Sequence, residues 1–313
     1  METIKKEHNF ISAVVYVHNA ANHIETFLNT LFTVLSSNFI NSEIVVVNDA
    51  STDESEVRIR DFASRISDVN ISLINMSYFH GLETAMTAGD DFAIGDYILE
   101  FDNTVLDFDS KEIMRVYQEA LSGYDIVSAS PDLSEKLSSQ IFYSLFEHYS
   151  RSSVRLTTER FRIISRRAIN RIASMNIAVI YRKAIYSNVG LKVKNVKYKT
   201  INNIAASVNK SEKKYRSALA IDSLILFTDL GYRFSISMTF IMMFMSIFMI
   251  LYSIITYLLV HPVEGWTTTI LFLSVAFFGL FGILTVIIKY LQIIINLVFK
   301  RKHYSYSSVD KLN

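Results

Sequence analysis

Two stretches without a single charge constrain this chain more than anything else in it. Residues 234–263 contain no Asp, Glu, Lys or Arg, and residues 265–288 contain none either. About 20 consecutive apolar residues cross a hydrocarbon core, so both runs are long enough. The linker between them, "HPVEGW" (261–266), is short, turn-forming and free of Lys and Arg. Arg233 precedes the first run, and Lys300, Arg301 and Lys302 follow the second. Because basic residues favour the cytoplasmic side, the pattern predicts a two-helix membrane hairpin with both ends cytoplasmic and Trp266 at the outer interface. The spans are expected at about 236–260 and 267–289, within a membrane segment at 235–299.

The remaining charge is segregated. Residues 1–150 carry 8 Lys/Arg against 24 Asp/Glu, whereas residues 151–216 carry 17 Lys/Arg against only Glu159 and Glu212. Such a basic block beside a membrane segment suits an anionic surface or a phosphate-bearing ligand. Mutual compensation of two halves of one domain is the other reading. The basic residues are not interleaved with stacking aromatics, which argues against a nucleic-acid partner. Neither span holds an ionisable residue before Lys289, which argues against a transporter or channel. With no cysteine, disulfides, thiolate metal sites and a cysteine nucleophile are excluded. Lys5 and Lys6 are followed by Glu7, His8 and Asn9 rather than by an apolar run, so residues 1–233 are expected to stay cytoplasmic, with the main domain at 1–216.

Within that portion, apolar β-branched runs alternate with helical patterns. Strands are predicted at 10–17, 43–49, 71–76, 96–102 and 124–130, with helices near 23–35, 54–66, 82–94 and 110–122. Near-continuous apolar strands separated by helices give an α/β fold, a mostly parallel sheet covered on both faces. Ligands of such sheets bind beyond the carboxyl ends of the strands, where Asp49 and Asp102 fall. Residues 137–150 and 217–234 read as amphipathic helices, the first facing a core or the bilayer and the second juxtamembrane. Residues 300–313 read as a cytoplasmic tail.

Several motifs occur together and in order: "VVYVHNAANHIETFL", "VVVNDASTDES", "HGLETAMTAGDDFAIGDYILEFD", "RFRIISRRAIN" and the two apolar runs. With these the chain resembles the family-2 inverting glycosyltransferases of the GT-A fold, in the branch that loads sugars onto polyprenyl or dolichyl phosphate. The resemblance covers nearly the whole chain. It implies a cytoplasmic-membrane enzyme of bacterial envelope polysaccharide or O-antigen pathways, with a nucleotide-sugar donor, a polyprenyl-phosphate or other lipid-linked acceptor, contacts with membrane lipids, and room for a homo-oligomer. Carried over by position, it assigns His18, Asn19 and Asp49 to the donor, Asp49 facing the base. Asp102 goes to the diphosphate or metal, and Arg162 and Arg166 to the acceptor phosphate.

The departures are specific. The family's metal-binding D-A-D-L-Q-D is "DNTVLD" here, so Thr104 and Leu106 stand at two ligand positions and Asp102 alone remains. Mg²⁺ or Mn²⁺ favours several oxygen ligands, carboxylates foremost. Asp107 and Asp109 are candidate substitutes if the loop is rebuilt, and ordinary loop or helix-cap carboxylates otherwise. The family's acid before F-R-L is Arg160, leaving Glu159 as the available base. Asp102 and Glu159 are therefore the candidate catalytic carboxylates. An ionised phosphate acceptor needs no base, whereas a hydroxyl acceptor does. A catalytically silent binding or assembly partner of an active transferase stays open as the alternative.

Overall fold

Seven-residue runs of buried, largely β-branched side chains build the centre of the fold: β1 (Ile11–Val17), β2 (Ser42–Asn48) and β3 (Asn70–Met76). These strands and β4 (Tyr97–Phe101) pair in parallel in the order β3-β2-β1-β4. The computed structural model describes residues 6–132, 140, 142–146, 158–174, 181–188, 190–201, 266–299 and 304–313, with positions 234, 237, 238, 241, 242, 244, 245 and 248. The predicted juxtamembrane segment, apart from position 234, and the linker before Trp266 lie outside the described residues.

Helices cover both faces, as expected of buried parallel strands. On one side α1 (Ile24–Asn38), α2 (Ser55–Ala63) and α4 (Lys111–Leu121) press Phe27, Leu31, Ile59 and Val116 onto Val15, Val46 and Phe101. On the other, α3 (Leu82–Phe92) lays Ala85 and Met86 against Val14, Val45 and Ile98. Helix and strand approach closely at glycine: a Cβ on Gly89 would come within 2.4 Å of Val14 Cγ1. Gly95, just before β4, is hemmed in by backbone instead, since its Cβ would lie 2.6 Å from the Ser12 backbone nitrogen and 2.8 Å from the Phe10 carbonyl oxygen. Backbone cannot step aside. Gly95→Ala is therefore expected to cost about 1–3 kcal/mol or more, read as a lowered thermal midpoint.

Beyond β4 the sheet departs from the predicted strands. An antiparallel strand, β6 (Phe161–Ser165), is inserted between β4 and β5 (Ile126–Pro131), and β7 (Val193–Tyr198) lines the edge beyond β5. Short helices α5 (Arg166–Ser174) and α6 (Arg182–Asn188) follow β6. Part of the segment read as a cytoplasmic tail joins the sheet. Residues Tyr306–Lys311 form β8, antiparallel to β3, closing an eight-stranded sheet.

The second apolar run is one helix, α7 (Trp266–Phe299), of 34 residues. From Leu273, residues Phe277, Leu280, Leu284, Ile287, Leu291 and Ile294 are exposed at alternating steps of four and three, which places them along one face. Gly279 faces Met242, whose Cε would lie 1.9 Å from an added Cβ, so the two apolar runs touch. Among the described residues, no helix is long and apolar enough to cross a membrane.

Candidate active site

The carboxyl ends of β1 and β2 carry His18, Asn19 and Asp49, and their loops are knitted together. His18 Nδ1 donates to the Asp49 carbonyl oxygen at 2.7 Å. Asn19 Oδ1 accepts from the Thr52 amide at 2.8 Å, and the Asn19 amide donates to Ser51 Oγ at 3.0 Å. Both loop tips adopt left-handed backbone, Asn19 at φ 51° and Ala50 at φ 51°. Asparagine tolerates that region, but alanine pays roughly 1–2 kcal/mol. Such strain gathers where a loop's shape serves a ligand.

Asp49 itself is fully buried. Its Oδ1 accepts the His80 amide and its Oδ2 the Gly81 amide, both at 2.8 Å, and the Tyr16 hydroxyl donates to Oδ2 at 3.1 Å. The carboxylate thus fixes the loop leading into α3, where Gly81 takes φ 84°. That loop leaves Tyr78 and Phe79 exposed, with Phe79 at 4.7 Å from the His18 ring. Together they make an aromatic rim beside the predicted donor residues.

At the end of β4, the antiparallel register of β6 sets Arg162 opposite Glu100. Arg162 donates to Glu100 Oε2 at 2.9 Å and to Asp102 Oδ2 at 2.7 Å, and its Nε lies 3.1 Å from Glu159. A second guanidinium, absent from the sequence-based candidates, completes the group. Arg182 Nη2 donates to Asp102 Oδ1 at 2.7 Å, Nε donates to Glu83 at 2.9 Å, and Nη1 lies 2.7 Å from Glu100. Glu83 also accepts the Arg182 amide at 3.1 Å, seating the start of α6 on the first turn of α3. Tyr186 donates to Glu100 Oε1 at 2.8 Å.

Both arginine side chains are at most 2% exposed, whereas the Asp102 carboxylate retains 11%. Burial alone would raise the Asp102 pKa, but Arg162 and then Arg182 overcome it and hold the group down to about 2. Asp90 goes the other way: burial, then the neighbouring Glu100 charge, pushes it well above the carboxylate range.

The other candidates are spent elsewhere. Asp107 is buried, with Oδ2 accepting from Arg160 Nε at 2.6 Å and Oδ1 from the Tyr198 hydroxyl at 2.8 Å. Asp109 accepts the Lys111 amide at 2.9 Å, an ordinary cap for α4. Arg166 sits at the opposite end of the sheet. Its guanidinium donates to the carbonyls of Ala93 and Gly95, which precede β4, at 2.7 and 2.9 Å. It lies level with Asp96, about 20 Å along the strand direction from Asp102, and does not join Arg162. Glu159, paired with Arg162, also lies 4.0 Å from Lys183 Nζ.

Known proteins share this architecture. A mannosyltransferase from Pyrobaculum calidifontis, solved with GDP-Man and Mn²⁺, superposes with a TM-score of 0.53 at 12% identity, over 70% of this chain and 64% of that one. Glucosyl-3-phosphoglycerate synthase from Mycobacterium tuberculosis, solved with Mn²⁺, UDP-glucose and phosphoglyceric acid, gives 0.51 at 14% identity, over 69% and 79%. In sequence, an uncharacterised glycosyltransferase of Synechocystis is 26% identical over 58% of each chain, so this chain spans less than two thirds of that relative. The bactoprenol glucosyl transferase of Shigella phage SfV is 27% identical over 279 residues, 86% of this chain and 88% of the relative. Residues 12–187, more than half of the chain, match the model for Glycosyl transferase family 2, and the chain is a glycosyltransferase belonging to that family.

Proposed function

We propose that the chain moves a sugar from a nucleotide-sugar to polyprenyl phosphate or a similar lipid-linked acceptor, at the cytoplasmic face of a bacterial membrane, in envelope polysaccharide synthesis of the O-antigen type. One observation carries the reading. Similarity to the phage bactoprenol glucosyl transferase runs for 279 residues, well beyond the 12–187 family match and therefore into the apolar C-terminal third. Membrane attachment is supported by α7, whose 34 residues reach about 50 Å and include one charged residue, Lys289. Its exposed apolar stripe and the Gly279–Met242 contact favour a hairpin in lipid.

The donor belongs at the carboxyl ends of β1, β2 and β4. The rim of His18, Tyr78 and Phe79 offers a π surface to a base. A phosphate acceptor suits the site better than a hydroxyl, because it attacks already ionised, and Glu159 is engaged by Arg162 and Lys183 rather than poised as a base. Bond making at the anomeric carbon and departure of the nucleoside diphosphate then need positioning and charge stabilisation more than proton transfer.

The test supplies the full chain in detergent with undecaprenyl phosphate and a panel of UDP- and GDP-sugars, and follows sugar entering the organic phase. Turnover with at least one donor is expected. A silent binding partner is the second reading, favoured by the closure of Asp102 between two arginines. It predicts no turnover and no nucleotide affinity.

A further inference from the structure

We infer that the donor crevice of this chain works without a divalent cation, Arg162 and Arg182 having taken the cation's place at Asp102. Each oxygen of Asp102 already accepts a guanidinium N–H at 2.7 Å. A metal bonded to either oxygen would lie against a positive charge that is itself buried and held by other carboxylates. Glu83 and Glu100 fix Arg182, and Glu100 and Glu159 fix Arg162, so neither side chain is free to swing aside. Two guanidiniums bring to this carboxylate the same formal charge as one divalent ion.

The remaining donors do not offset this. Thr104 is buried and neutral, and Leu106 has no ligating atom. Asp107 is buried and engaged at one oxygen by Arg160 and at the other by Tyr198, and Asp109 caps a helix. Among the described residues, no three His, Asp or Glu side chains gather where they could hold an ion. A hard cation is usually held by one or two carboxylates together with substrate phosphates and waters, and here the one carboxylate at hand has each oxygen already engaged by a guanidinium.

For the donor's identity the inference rests on the transferase reading; for ion binding it does not, and the experiment separates the two. Full-chain protein is titrated with MnCl₂ alone and bound Mn²⁺ is read by electron paramagnetic resonance. No Asp102-dependent binding up to about 1 mM is expected. Bound Mn²⁺ that disappears in Asp102→Asn would overturn the inference. Thr104→Asp restores the second family carboxylate but leaves the arginines, and is expected to stay metal-free. Combining it with Arg182→Gln is expected to create Mn²⁺ binding. Should Thr104→Asp bind Mn²⁺ alone, the arginines are not the block. If the double variant fails to fold, wild type and Thr104→Asp still decide. In parallel, UDP and GDP affinities are measured by calorimetry with EDTA and with Mn²⁺. A change within about twofold supports the inference, and tightening of tenfold or more overturns it. Absence of either nucleotide's binding under both conditions defeats the transferase reading, while the manganese titration still decides this one.

Discussion

Arg182→Ala is expected to unfold roughly 6–20 °C below the wild-type chain, as followed by differential scanning fluorimetry or circular dichroism. The guanidinium contacts Glu83, Glu100 and Asp102 within 2.9 Å and is almost fully buried. Its removal takes away the guanidinium that pairs with Glu83 and leaves Glu100 and Asp102 to share Arg162, and breaking a buried ion pair from one side costs about 3–5 kcal/mol. In a domain of this size each kcal/mol lowers the midpoint by about 2–4 °C. Arg182→Lys restores the charge but not the planar fork that reaches three partners, so it is expected to recover only part of the loss. Arg58→Ala is the control: its pair with Glu54 is exposed and contributes under about 1 kcal/mol. A midpoint for Arg182→Ala within the range of Arg58→Ala would mean that the cluster does not hold these elements together.

The same cluster has a signature in acid. In the folded chain Arg162 and Arg182 hold the Asp102 carboxyl down to about 2, below its ordinary value, despite its burial. A depressed folded pKa contributes stability that is present above about pH 4 and lost as pH falls towards 2, here about 2 kcal/mol. Asp102→Asn is accordingly expected to start less stable at neutral pH and to lose less between pH 4 and 2. Asp90 has a raised folded pKa, so its contribution is fully present below the ordinary carboxylate range and declines as pH rises.

Local pattern revealed the parallel half of the sheet because its strands are buried on both faces and read as unbroken apolar runs, and it marked where they end. His18, Asn19, Asp49 and Asp102 fall at those ends as expected. The strands it missed are those whose chemistry is long-range. In "FRIIS" the buried Arg162 interrupts the apolar run, and its burial is made tolerable chiefly by carboxylates remote in sequence, Glu100 62 residues earlier and Asp102 60 residues earlier. In β7, the exposed Asn195 and Lys197 alternate with the buried Val196 and Tyr198, as on an edge strand with one face in water. Arg182 was invisible for the same reason: its partner Glu83 is 99 residues away. One signal did point to it. Asp102 survives without its second carboxylate, in a chain with 17 of its 31 Lys and Arg crowded into 151–216, so a protein cation was available to replace a metal.

Deleting residues 304–313 is expected to produce the other large effect, a loss of roughly 3–6 kcal/mol accompanied by aggregation detectable by light scattering. The deletion removes the β3–β8 ladder and the Arg60–Asp310 pair at 2.5 Å. It also removes Asn313, which accepts the Ile71 amide at 2.6 Å and donates to the carbonyls of Ile66 and Val69, both at 2.9 Å. What remains at the edge is "NISLINM", an uncharged, strand-forming segment with unpaired backbone groups. Asn313→Ala alone is expected to cost only about 1 kcal/mol, because the ladder persists. The effect reaches the proposed activity through geometry. Tyr306 pairs with Met76 at the carboxyl end of β3, and the Ser305 amide donates to His80 Nε2 at 3.2 Å, so β8 begins at the rim of the donor crevice. Five Cα steps separate Phe299 from Tyr304, at most about 18 Å. If α7 lies in lipid, as proposed, this tie holds the crevice near the bilayer surface, where a polyprenyl phosphate presents its head group. The shortened chain should therefore stay with the membrane fraction and yet lose transfer to the lipid acceptor. Full transfer by a deletion variant that remains folded would show that the strand closes the sheet without positioning the site.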